Sequence, residues 1–167
     1  MKSRRWPGLS GSGWKRSRST PFSMTRILRL CPSSAVSFSD MATIRRPDIF
    51  KAGVAGAPVV DWQDYDTHYT ERYMGLPSQN KDGYAKSNVL TYAADLKRPL
   101  LIVHGVTDDN VHFQNTMQLT LALLKAGRPY DLLLLPGTHM LSDNTIRARE
   151  TERQMEFLAE HLGSKPD

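Results

Sequence analysis

Two short apolar runs constrain this chain more than anything else in it. Residues 99–103 read Pro-Leu-Leu-Ile-Val and break into His104-Gly105-Val106-Thr107-Asp108-Asp109-Asn110-Val111-His112-Phe113. Residues 130–135 read Tyr-Asp-Leu-Leu-Leu-Leu and break into Pro136-Gly137-Thr138-His139. Short apolar runs of this kind fit buried strands. Between them, residues 113–126 predict a helix closed by Gly127, with Met117, Leu121 and Leu124 on one face. Residues 144–162 predict a final amphipathic helix, with Ile146, Met155, Phe157, Leu158 and Leu162 among its apolar positions and Gly163 ending it. Strand, helix, strand, helix in that order implies parallel strands with right-handed crossovers, an α/β fold. Upstream, residues 52–57 form a small-residue strand candidate, 61–75 a loop with short helical turns, and 77–95 a polar, loop-rich stretch with a short helix.

Charge divides the chain in two. Residues 1–39 hold eight Lys or Arg and no acid, whereas the remainder holds 14 basic residues against all 17 acids. The net charge of +5 therefore belongs to one segment, and the rest is mildly acidic. This argues against a basic nucleic-acid-binding face on the domain. Residues 1–40 are Arg-, Ser-, Gly- and Pro-rich without helical or alternating period, and are expected to be irregular. They fit three descriptions: an organellar transit segment, a disordered basic tail, or a stretch read out of frame. Residues 41–163 read as the folded domain and 164–167 as a tail. At 167 residues the chain is long enough for one domain with a real core. No apolar run approaches the ~18 residues that cross a bilayer. The single cysteine, Cys31, allows no internal disulfide, and compartment stays open.

Asp108 and His139 are separated by one strand-helix-strand unit, which places both just past strand ends, at one edge of the sheet. A serine hydroxyl is a poor nucleophile until a histidine accepts its proton, and a carboxylate must hold that imidazole in the right tautomer. The plainer reading is an Asp capping the next helix and a surface His in a turn, and spacing alone does not separate the two. Asp109 competes with Asp108 for either role. His104 reads as a strand-end residue bonded to backbone, and His68, His112 and His161 read as solvated. No Cys, His or carboxylate cluster has metal-ligand spacing, so neither metal nor cofactor is expected. Trp62, Tyr65, Tyr69 and Tyr73 crowd one loop, where they either line an apolar pocket or pack among themselves.

Taken together, this text resembles the catalytic domain of the prolyl oligopeptidase family of serine peptidases, especially its dipeptidyl-peptidase branch. The resemblance rests on Arg46-Pro-Asp-Ile-Phe-Lys-Ala-Gly-Val-Ala-Gly-Ala-Pro58, on Trp62, and on Tyr65-Asp-Thr-His-Tyr-Thr-Glu-Arg-Tyr-Met-Gly-Leu-Pro77. The His104-Gly, Asp108-to-Phe113 and Gly137-Thr-His139 segments complete it. It implies a partial α/β-hydrolase domain, the C-terminal part, acting on peptide substrates. It also implies Asp108 as triad acid and His139 as general base. Trp62, Tyr65, Tyr69, Val59 and Val111 would wall the pocket for the residue before the cut, often proline, with Asn110 as a polar contact to the substrate backbone. Glu71 and Arg72 would be structural, as an ion pair. A full-length parent would have scope to form a homo-oligomer.

The pattern breaks at its first member. The family requires a Gly-x-Ser-x-Gly elbow shortly before Met41, where the residues are Cys31-Pro-Ser-Ser-Ala-Val-Ser-Phe-Ser39. Gly8-Leu-Ser10-Gly-Ser12 fails because Ser12 stands where the second glycine is needed. The expectation is a serine-type peptidase that lacks its nucleophile elbow and is inactive as this chain alone. An esterase or acyl-aminoacyl peptidase, and a non-catalytic binding module, are the alternatives. A sheet edge left by absent strands would further predict poor solubility or self-association.

Overall fold

The computed structural model of the chain describes residues 28–29 and 36–163, with side chains from residue 39 onward. Residues 1–27, 30–35 and 164–167 lie outside it, and with them residues 31–35 of the stretch that stands where the family's elbow falls. Four strands form one parallel sheet in the order β1 (Leu28–Arg29), β2 (Gly53–Gly56), β3 (Leu100–Gly105) and β4 (Asp131–Leu135). The helices are α1 (Val36–Arg45), α2 (Thr67–Met74), α3 (Lys81–Ser87), α4 (Gln114–Lys125) and α5 (Asn144–Leu162), with 3-10 turns at Trp62–Asp64 and Val89–Asp95.

The sheet is covered on both faces, and the alternation of side chains along β3 decides what lies on each. Leu100 and Ile102 join Ile44 of α1, Leu119 and Leu123 of α4, and Val89, Ala93 and Leu96 in one core. Leu101 and Val103 face the other way, onto Phe157 and Leu158 of α5. Every residue of β3 is consequently buried. Small residues on β2 let α1 approach closely: a Cβ at Gly53 would collide with the Thr43 hydroxyl. That hydroxyl donates instead to the Ser39 carbonyl at 2.7 Å.

Three expectations need correction. The helix α1 begins at Val36, so the boundary drawn at residue 40 cuts through a helix whose Ser39 and Asp40 are buried. Its Ser, Asp and Thr positions carry no apolar period, because small polar side chains allow close contact there rather than burying large apolar ones. On α4 the apolar trio Met117, Leu121 and Leu124 faces outward, while Asn115, Thr116, Leu119, Thr120 and Leu123 are buried. The inward polar groups are claimed by hydrogen bonds: the Val60 amide donates to Asn115 Oδ1 at 3.1 Å, and the Thr120 hydroxyl donates to the Met117 carbonyl at 3.0 Å. Glu71 and Arg72 make no ion pair among the described residues. Successive helical residues do not face each other, and Arg72 lies over the Tyr73 ring instead. On α5, Phe157 and Leu158 are buried as expected, whereas Met155 is exposed.

Candidate active site

The segment after β3 turns back on itself around one carboxylate. Asp108 is buried, and its Oδ1 accepts the backbone N–H groups of Asn110 and Val111, both at 2.9 Å. This Asx-type turn satisfies two amides that the loop would otherwise leave unpaired. Its Oδ2 lies 2.8 Å from His139 Nδ1. Asp109, by contrast, is exposed. Neither Asp caps α4, whose N-terminus has no side-chain cap.

His139 reaches Asp108 because the two loops are stitched together behind it. The Val106 amide donates to the Leu135 carbonyl at 3.0 Å and the Thr107 amide to the Gly137 carbonyl at 3.2 Å. The fit leaves no room for a side chain at position 105, where a Cβ would strike the carbonyl oxygens of Gly137 and Thr138. Gly105 is thus the residue that lets the His139 turn close over the end of β3. A shallow cavity opens there, lined by Ala57, Gly105, Asp108, His139, Arg147 and Glu150 among others.

His104, the last side chain of β3 before Gly105, is buried against the same carboxylate. Its Nε2 lies 2.9 Å from the Val111 carbonyl and 3.3 Å from Asp108 Oδ2, and its Nδ1 lies 2.6 Å from Thr116 Oγ1. Burial pushes the His104 imidazole below the ordinary histidine range, so it is neutral. The backbone contact follows the sequence expectation, but the bond to Thr116 and the contact with Asp108 do not. A Thr near the start of a helix carries no signal of facing inward. His68, His112 and His161 are exposed, His161 packing its ring on Phe157.

The aromatic loop forms a cluster of its own. Trp62 stacks on Tyr69 with centroids 5.9 Å apart, Tyr65 stands edge-on to both, and Tyr69 leans on Tyr73 at 4.9 Å. Val59 and Val111 are buried. One bond ties the cluster to the carboxylate loop: the Tyr65 hydroxyl donates to Asn110 Oδ1 at 3.1 Å. Burial, the leading cause, also raises the Tyr65 phenol above its ordinary range, so it stays protonated and able to donate. Gln118 of α4 donates to Asp64 at 3.2 Å, which ties the aromatic loop to α4 as well. Spacing along the chain carries no hint of Gln118 or Asn115 as such supports. The structure therefore brings Asp108 to His139, and Tyr65 to Asn110. Among the described residues no group of three His, Cys, Asp or Glu side chains could hold a metal ion, and no helix is long and apolar enough to cross a membrane.

Residues 38–165 match the family model described as "Prolyl oligopeptidase family". The chain belongs to that family. It is 43% identical to dipeptidyl peptidase 8 of Homo sapiens over 133 residues, which is 75% of this chain and 14% of that protein. It is 51% identical to dipeptidyl peptidase 4 of Sus scrofa over 82 residues, 47% of this chain and 11% of that protein. The crystal structure of Porphyromonas gingivalis dipeptidyl peptidase 4 superimposes with a TM-score of 0.70 at 42% identity, covering 73% of this chain and 18% of that one. The chain thus spans less than a fifth of the length of these relatives. Its fold is part of an α/β-hydrolase domain, and its relatives are peptidases of the dipeptidyl-peptidase type.

Proposed function

We propose that this chain carries the acid-base half of a serine peptidase active site, with Asp108 orienting His139. The observation that carries the reading is the 2.8 Å contact between a buried carboxylate and His139 Nδ1, made by loops leaving two adjacent parallel strands at one edge of the sheet. With Nδ1–H donated to Asp108, the tautomer leaves His139 Nε2 bare. That nitrogen takes the proton of a serine hydroxyl as the hydroxyl oxygen attacks a peptide carbonyl. It then returns the proton to the departing amine, and the second cycle repeats the transfer with water attacking the acyl-enzyme.

The aromatic cluster supports a pocket for a flat, apolar residue before the scissile bond, proline or a small side chain. Trp62, Tyr65 and Tyr69 supply rigid ring surface, and Val59 and Val111 are buried. Asn110 spends its Oδ1 on the Tyr65 hydroxyl, which leaves the amide nitrogen to donate to a substrate carbonyl.

No Gly-x-Ser-x-Gly occurs in the sequence, so the chain by itself is expected not to turn over peptides. A fluorophosphonate probe tests this: no serine should label, and stoichiometric labelling would overturn it. Translating the DNA upstream of codon 41 in all three frames addresses the other half. An elbow in another frame would make the parent an active peptidase; activity of that parent against Xaa-Pro substrates should vanish in His139→Ala.

A further inference from the structure

His104 faces two acceptors and one hydroxyl, and this fixes its hydrogen. Nε2 meets only oxygens, the Val111 carbonyl at 2.9 Å and Asp108 Oδ2 at 3.3 Å, so it must carry the proton. The imidazole is neutral, hence Nδ1 is bare and takes the hydrogen of Thr116 Oγ1 at 2.6 Å. Thr116 is fully buried, with no solvent to offer its hydroxyl another partner. Val111 is held at both ends, its N–H by Asp108 Oδ1 and its C=O by His104 Nε2. Asp108 then receives three donors, two amides on Oδ1 and the His139 imidazole N–H on Oδ2, with His104 Nε2–H in contact with Oδ2 at 3.3 Å.

We propose that Thr116 and His104 form a tautomer lock that positions Asp108 toward His139. The lock deepens the reading of Asp108 and His139 as an acid-base pair and rests on it. Neither residue is catalytic, since both lie behind the carboxylate. Were His104 to carry its hydrogen on Nδ1, the bare Nε2 would sit against a carbonyl and a carboxylate oxygen. Both contacts would turn repulsive, and the turn that aims Oδ2 would open. Among the described residues, Arg147 and Glu150 of α5 line the same cavity as His139.

Nitrogen-15 and proton NMR on the 167-residue chain reads the lock directly. The native chain should show His104 as the Nε2–H tautomer and a far-downfield, slowly exchanging His139 Nδ1 proton. Thr116→Val, which removes only the hydroxyl, leaves the bare Nδ1 buried without a donor, so His104 should shift in its pocket and the His139 resonance should broaden away or vanish. His104→Leu should erase it too, whereas His104→Gln, whose amide nitrogen can stand in for Nε2–H, should retain it. If His104→Leu does not fold, Thr116→Val decides alone. A folded Thr116→Val chain with an undiminished His139 Nδ1 resonance would overturn the proposal, as would a native chain lacking that resonance. Because the resonance reports geometry and not turnover, a frame-restored parent whose activity ignores His139→Ala would sink the peptidase reading while leaving the lock intact.

Discussion

The two neighbouring strands β3 and β4 read almost alike, Leu-Leu-Ile-Val against Leu-Leu-Leu-Leu, and they meet opposite fates. Strand β3 is buried along its whole length, while β4 leaves Leu132 and Leu134 41% and 46% exposed. The difference is position: β3 has a strand on either side and helices over both faces, whereas among the described residues β4 is the sheet edge, with α5 covering its Leu133 and Leu135 side. Beyond it, Met117, Leu121 and Leu124 of α4 are likewise exposed, at 53%, 52% and 65%. Apolar text states that a segment belongs in a sheet. It does not state how many sides of that sheet the molecule covers.

The sharpest way to probe the sealed side is Asp40, buried with α1. Desolvation lifts its carboxyl from 3.8 to about 8, and its Oδ2 has no partner among the described residues. The folded chain keeps a proton that the unfolded chain releases, so stability should fall as pH rises from about 4 to about 8, by roughly 1.4 kcal/mol per unit. Denaturant midpoints across that window should slope downward for the native chain and lie flat for Asp40→Asn. A flat native profile would refute the burial argument. Next in size, Ile102→Ala on β3 should cost about 2–5 kcal/mol. Leu134→Ala on β4 should stay within about 0.5 kcal/mol. Equal losses in thermal melts would erase the contrast between the strands. Between those extremes falls Gly105→Ala, whose methyl meets backbone and not a movable side chain; about 1–3 kcal/mol is expected, together with loss of the His139 Nδ1 resonance. Below it comes Tyr65→Phe, which removes one exposed hydrogen bond worth no more than about 0.5–1.5 kcal/mol. Its stability change should be barely measurable by chemical denaturation.

How much of this is legible in the sequence depends on what kind of signal each part emits. Strands β3 and β4 and helices α4 and α5 announce themselves through apolar runs and the stops Gly127 and Gly163. Spacing returns Asp108 and His139 to the same sheet edge, because one crossover unit joins them, but their contact is made by the turn at Asp108 and the close fit at Gly105. The orientation of α4 does not follow. Hydrophobicity points to Met117, Leu121 and Leu124, but Asn115 and Thr116 are drawn inward by fixed partners, the Val60 amide and His104. Helix α1 escapes a reading by pattern for a related reason: Ser39, Asp40 and Thr43 are buried by close packing on β2, which leaves no apolar period.

Asp108 serves two tasks with its two oxygens, one holding its own loop and the other reaching a residue 31 positions on. Asparagine at that site would separate them. Its carbonyl oxygen could still accept the Asn110 and Val111 amides, so the turn would survive. Its amide group, however, would present hydrogens to an imidazole that needs an acceptor, and His139 would swing away or invert its tautomer. A single-atom exchange would thus keep both amide bonds of the turn and misdirect the histidine.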